Sequence, residues 1–222
     1  MGLISILSSN PELFFLISIS LVFALCFHEF AHGYIAFIHG DDTAFQSGRL
    51  TLNPLKHLDP IGTLMILIIG FGYAKPVPVN PYNLNNPRKD MIKVAAAGPL
   101  ANFLLAFIGT FGMIVLNEIS LLNTSSRLFF QYFCFINIYL GLFNLLPIYP
   151  LDGGQIFGNF ISKYNPQIFR QLNEYGPKIL LGVILFSVVS GISIIGFLIH
   201  TPAQIIFTTF STIISILLSL FV

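Results

Sequence analysis

Residues 14–38 read FFLISISLVFALCFHEFAHGYIAFI, and both the fold and the chemistry of the chain turn on His28-Glu29-Phe30-Ala31-His32 lying inside that run. About 20 consecutive apolar residues suffice for a helix to cross a bilayer, so the run reads as a membrane-spanning helix. On a helix, imidazoles at i and i+4 share one face about 6 Å apart, which lets both reach one zinc ion. The glutamate between them is placed to take a proton from an attacking water. A hydrolytic zinc site inside a membrane is the expectation that follows. Two packed core histidines would be the bland alternative, but ionisable groups at bilayer depth cost several kcal/mol unless they serve a function.

Composition agrees with the membrane half of this reading. Hydrophobic residues make up 55% of the chain and charged residues 9%, with a mean hydropathy of +0.84. Soluble domains carry about 25% charged residues. The 222 residues hold five or six spanning helices and short loops, so residues 1–222 read as a single membrane-embedded domain. A net charge of +1 and the lack of a basic run give no sign of a nucleic-acid partner. Cys26 and Cys134 share no metal-type spacing and read as buried small hydrophobes. The first apolar run has no basic stretch before it and no cleavage-site pattern after it, so it is expected to stay in the mature protein.

Five segments are long and apolar enough to span: 11–38, 91–117, 128–148, 178–199 and 203–221. The fold class expected is an all-α polytopic membrane protein with about five transmembrane helices. A sixth apolar piece, 61–73, lies between Pro60 and the Pro76/Pro78 pair and is too short to cross, so it reads as a re-entrant or β-hairpin-like element near the active site. Loops 39–60, 73–93 and 149–178 then share a side and carry Arg49, Lys56, Lys75, Arg88, Lys89, Lys93, Lys163, Arg170 and Lys178, leaving only Arg127 opposite. By the positive-inside rule those loops are cytoplasmic, the amino terminus and His200 lie outside, and the active site faces the cytoplasm of a cell (inner) membrane.

A catalytic zinc usually has three protein ligands and an open position for water. Of the nine carboxylates, Glu12 and Glu118 lie at the far ends of their spans. Asp41 and Asp42 are more than two turns beyond His32, and Asp59, Asp90 and Glu174 fall in surface loops. Asp152 follows the span 128–148 directly, in Asn144-Leu-Leu-Pro147-Ile-Tyr-Pro150-Leu151-Asp152-Gly153-Gly154. Prolines end the helix there and paired glycines permit close backbone approach. With 61–73 re-entrant, Asp152 and His28 come to one level; had that piece crossed, they would face opposite sides.

The chain resembles the site-2 protease family of intramembrane zinc metalloproteases. The resemblance rests on His28-Glu29-Phe-Ala-His32 and Asn144-x-x-Pro147-x-x-Pro150-Leu-Asp152-Gly153, supported by segments 48–62, 72–81 and 97–102. It implies His28, His32 and Asp152 as zinc ligands, Glu29 as catalytic base, and cleavage of transmembrane segments of membrane proteins, with the lipid bilayer as surroundings. The length fits the short branch, without room for the PDZ domain of longer members. Asn144 is either an interhelical hydrogen-bond donor or, as the resemblance suggests, a holder of substrate backbone. His57 is left among a metal contact, a donor at the site and a loop residue. Gly98, Ala101 and Asn102 read as a close-packing face, with Asn102 also a candidate contact to the catalytic core. The extended 73–81 segment offers unpaired backbone for β-addition of an unwound substrate. A zinc transporter or sensor would use the same ligands but gives no reason for Glu29. A membrane metallopeptidase acting on soluble or juxtamembrane peptides, or an inactive partner-binding relative, is the other alternative. Substrate identity and oligomeric state are not legible.

Overall fold

The structure, a computed structural model, describes residues 2–220. Among them no sheet forms, and the only β pairing is an isolated antiparallel bridge between Leu58 and Ala74. The elements in order are α1 (Leu3–Ser9), α2 (Pro11–Ile38), α3 (Thr43–Gln46), α4 (Pro60–Ile69), α5 (Pro87–Glu118), α6 (Thr124–Asn144), α7 (Asp152–Tyr164), α8 (Pro166–Ser190) and α9 (Ile194–Ser219). Of these, α2, α5, α6, α8 and α9 are long and apolar enough to cross a membrane.

One local device starts four of these helices. Asn10, Asp59, Asn86 and Asn165 each accept a backbone N–H from the first turn, and each is followed by proline at the first helical position. Asn and Asp satisfy orphan donors there, and proline supplies a preset φ where no N–H is needed. Glycine ends α4 and α8: Gly70 and Gly191 adopt φ of 83° and 73°, the left-handed conformation in which a Cβ is strained.

These signals correct two expected boundaries. The fourth span was expected at 178–199, but the Asn165-Pro166 start and the Gly191 stop set α8 at Pro166–Ser190. The expected loop 149–178 instead holds α7 and the first half of α8. The last expected span, 203–221, becomes α9 at Ile194–Ser219, and Phe221 lies outside the described residues.

The centre of the fold is α2, α5 and α6 packed in alternating directions. His28 meets Asn102 and His32 meets Val94, so α2 and α5 run antiparallel. Gly109 meets Phe133 and Gly141 meets Phe103, so α5 and α6 do too. Buried Ala106, Ile138 and Ala203 join α5, α6 and α9 in one apolar cluster. Pairs Tyr139–His200 and Phe135–Phe207 make α9 antiparallel to α6. His200 therefore sits beside Tyr139, in the half of α6 that ends at Asn144, and not at the opposite, outer end where it was expected. Its Nδ1 is 2.7 Å from the Tyr139 hydroxyl. The short link from Gly191 to Ser193 joins α8 to α9 beside Tyr139 and Phe143, since both helices line one cavity with them.

The re-entrant expectation for 61–73 takes a definite form. Its apolar part is the ten-residue α4, far shorter than a span. The Leu58–Ala74 bridge ties its two flanks side by side, and the Lys75 N–H donates to the His57 carbonyl at 2.7 Å. The chain therefore returns to the level from which it entered. Gly62 lets the returning backbone at Tyr73 lie directly on α4, where a Cβ would meet it. At that same level the 39–60 and 73–86 segments and α7 interlock: Asn85 N–H donates to His39 O at 2.8 Å, Asn80 N–H to Asp41 at 2.7 Å, and Arg88 to Ser162 at 3.3 Å.

Candidate metal centre

His28 and His32 project from one face of α2, and the turn after α6 delivers Asp152 as the first residue of α7. The Asp152 Oδ2 lies 3.1 Å from Nε2 of His28 and 3.4 Å from Nε2 of His32. A tetrahedral zinc with ligands at about 2.0–2.1 Å holds its donor atoms about 3.3 Å apart, so the spacing fits one ion. Asp152 Oδ2 is buried and makes no hydrogen bond, as an atom reserved for a metal would be. Among the described residues this is the only group of three His, Cys, Asp or Glu side chains gathered for an ion. Two nitrogens and one oxygen form a catalytic-type zinc donor set, with room for a fourth position.

The turn reaches the histidines because it is folded on glycine. A Cβ on Gly154 would stand 2.6 Å from the Tyr149 nitrogen, and one on Gly153 would meet the Leu145 and Leu146 carbonyls. The backbone thus packs closely enough to hold the Asp152 carboxylate against α2.

Each histidine is oriented through its other nitrogen. His28 Nδ1–H donates to the Asn102 side-chain oxygen at 2.6 Å. The Asn102 amide nitrogen is already committed, donating to Ala24 O at 3.0 Å and to Asn137 Oδ1 at 2.9 Å, which leaves its oxygen facing the ring. His32 Nδ1–H donates to the Val94 carbonyl at 2.7 Å. Both rings therefore keep the Nε2 lone pair turned toward Asp152, the tautomer that a metal ligand needs. Gly98 on α5 lies directly over them: a Cβ there would stand 2.6 Å from both Cε1 and Nε2 of His28 and would also meet His32.

Glu29 opens onto the same space but is held differently. Its Oε2 accepts the Val77 N–H at 2.8 Å, which ties it to the extended 73–81 segment. That segment is less free than its sequence implied. Lys75 N–H is taken by His57 O, Asn80 N–H by Asp41, and the Lys75 and Pro76 carbonyls by Arg49 Nη2 at 2.8 and 3.2 Å. Among the described residues, Val77 C=O and Val79 N–H make no hydrogen bond. Both belong to the segment whose Val77 N–H reaches Glu29, and unpaired backbone of this kind can accept a strand. Burial of Asp41 opposes its ionisation. Hydrogen bonds from Thr43, Asn80 and Asn83 outweigh that effect and hold its carboxyl below the usual carboxylate range.

A cavity of about 690 Å³ contains His28, Glu29, His32 and Asp152, with Asn144 and residues 72–74, 76, 77 and 79 in its wall. Asn102 stands behind His28, fully buried. Asn144 donates to its own helix, at Leu140 O, 3.0 Å away. His57 does not line the cavity; its Nε2–H donates to Thr51 O at 2.6 Å and its main chain anchors Lys75. Sequence reasoning missed Arg49, Asp41 and Asn137. Only the rarity of buried charge could have singled out the first two, and only an Asn in an apolar span the third.

The family model "Peptidase family M50" matches residues 110–190, which include Asp152 but not the histidine motif. The chain is 42% identical to "Putative zinc metalloprotease YwhC" of Bacillus subtilis, over 73% of this chain and 77% of that protein. It is 30% identical to "Putative zinc metalloprotease Rip2" of Mycolicibacterium smegmatis, over 74% of this chain and 63% of that one. It is also 37% identical to "Stage IV sporulation protein FB" of Bacillus subtilis, over 37% of this chain and 26% of that one. No solved structure matches.

Proposed function

This chain belongs to peptidase family M50, the site-2 protease family, as a zinc metalloprotease, and from that premise we propose that it cuts transmembrane segments of other membrane proteins. In this reading His28, His32 and Asp152 hold zinc and Glu29 is the general base. The single observation that carries it is one cavity holding the His-His-Asp cluster and the Glu29 carboxylate, in a chain with five helices apolar enough to cross a bilayer.

Zinc in such a site lowers the pKa of water toward neutrality and polarises a carbonyl. Glu29 accepts the proton of the attacking water and returns it to the leaving amine. A helical substrate keeps its amides in i to i−4 bonds, so it must unwind before attack. The Val77 C=O and Val79 N–H then pair with the unwound strand, and the Asn144 amide lies in the cavity wall to hold its backbone.

Nine of the ten basic residues, on segments 39–60 and 73–86, the start of α5, α7 and the first half of α8, lie toward the end of the fold that holds Asp152, while Arg127 bonds Asn117 at the far end. That asymmetry supports a multi-pass protein whose active site faces the cytoplasm. A transporter or sensor built on the same ligands has no use for a carboxylate between the histidines.

The test compares co-expressed single-span proteins with the intact chain and with Glu29→Gln. Intact protein should release two fragments cut within the span, faster when Pro or Gly lies near the cut. Efficient hydrolysis of soluble peptides with no effect of helix breakers would overturn the intramembrane reading.

A further inference from the structure

The metal cavity has a neighbouring cavity on each side, and the two differ in chemistry. Toward the membrane interior it shares Leu25, Phe71, Leu140 and Phe143 with a second cavity of about 700 Å³, between α2, α4, α6, α8 and the start of α9. That cavity has no charged side chain in its wall. Toward the basic end it shares Met91, Tyr149 and Gln155 with a third cavity of about 420 Å³. Arg88, Asn159, Ser162 and Asn173 line this one, and no carboxylate does.

The polar end is also electropositive beyond its lining. Arg88 is exposed at the start of α5, beside Lys89, and Lys163 and Arg170 lie on α7 and α8. The carboxylates nearest in sequence to the lining residues are Asp90, engaged by Lys93 and by the Asn86 N–H, each at 2.7 Å, and Glu174, paired with Lys178 at 3.5 Å. No acidic side chain among the described residues of the third cavity's wall offsets Arg88.

We infer that this polar cavity is a specificity subsite that binds the juxtamembrane flank of the substrate and selects a carboxylate over a basic residue there. The inference rests on the intramembrane reading above. An extended strand with its apolar part in the second cavity and its scissile bond at the His-His-Asp cluster runs its polar part past Met91 and Gln155 to Arg88. Gly98, over the histidines, and Arg88 are separated by about 15 Å along α5, which an extended chain covers in about four residues. The selected acidic residue therefore stands about four positions from the cut. Most membrane proteins carry Lys and Arg on their cytoplasmic flank, so a subsite that repels those charges excludes them and admits the minority with acidic flanks.

The experiment uses the full-length protein in detergent with two single-span substrates that differ at one residue, Glu or Lys, four positions from the mapped cut on the polar side. Intact protein should cleave the Glu substrate about three- to tenfold faster in kcat/KM, an effect that shrinks as salt is raised. Arg88→Glu should reverse the preference and Arg88→Gln should erase it, with zinc content unchanged in both. An unchanged Glu/Lys ratio in Arg88→Glu overturns the inference while leaving the protease reading intact. So does an equal effect of that substitution on both substrates, the pattern expected if Arg88 only supports the fold of this end and does not meet the substrate flank. Failure of the intact protein to cleave either substrate overturns the intramembrane reading, and the inference with it.

Discussion

The two walls of the metal cavity are held in opposite ways. On one side, His28 and His32 sit on an unbroken helix, and each ring is set by one hydrogen bond that it donates to the neighbouring α5, at the Asn102 side-chain oxygen or the Val94 carbonyl. On the other, residues 73–81 have no ladder of their own and are pinned by side chains: Glu29 on Val77, Arg49 on Lys75 and Pro76, and Asp41 on Asn80. Helices need little help to place metal ligands to a fraction of an ångström. In the proposed reading the 73–81 edge leaves some backbone unpaired for substrate, so it has to be held from behind. The difference separates changes that remove metal from changes that loosen substrate.

The largest effect should come from crowding the first wall. Gly98→Ala drives a methyl group into both imidazoles, and overpacking of this kind costs about 1–3 kcal/mol or displaces the rings. Zinc affinity and cleavage should both fall by about a hundredfold, measured by chelator competition and by fragment yield. A Gly98→Ala protein with full zinc would show that α5 does not close on the site.

Next comes Asn102→Ala, which frees His28 Nδ1 without touching the ligand set. Loss of such a partner lowers metal affinity about 10- to 100-fold, readable by chelator competition. The 73–81 wall should be unaffected, so KM measured at saturating zinc should not move.

Arg49→Ala reverses that pattern. It leaves two carbonyls of 75–76 without their donor, at about 1–3 kcal/mol, and should raise KM for a transmembrane substrate about tenfold with zinc affinity unchanged. Equal losses of zinc and of substrate binding would mean that the two walls act as one unit.

The smallest effect is acid sensitivity. Asp41 is held below the ordinary carboxylate range, so its contribution is fully present above the unfolded value of about 4 and is lost as pH falls through the lower folded value. Protection of the Asn80 N–H against hydrogen exchange should persist at neutral and mildly acidic pH and fall only below about pH 4. Asp41→Asn should exchange faster at pH 7 and lose that acid step.

The two walls also differed in how far sequence revealed them. The His28, Glu29, His32 spacing and the Asp152 turn are local patterns, and shared depth was enough to bring them together. The capping pairs were equally local: Asn165-Pro166 and Gly191 mark the ends of α8, but the run of apolar residues across 178–199 masked them. The contacts that pin 73–81 join residues 26 to 48 positions apart and depend on how the re-entrant piece returns, which no period or motif encodes. The direction of α9, and with it the position of His200, was hidden for the same reason. Asn102 was half legible, as a small polar residue on a packing face; its hold on His28 needed the α2–α5 register.

The most direct test of the whole account is zinc stoichiometry in the purified intact protein, in Asp152→Ala and in Glu29→Gln. About one zinc per chain is expected in the intact protein and in Glu29→Gln, which should retain metal yet lose about 10²- to 10⁴-fold in cleavage. Asp152→Ala should be depleted. Undiminished zinc in Asp152→Ala would contradict the account, because the ion would then be held by something other than the His28, His32 and Asp152 cluster.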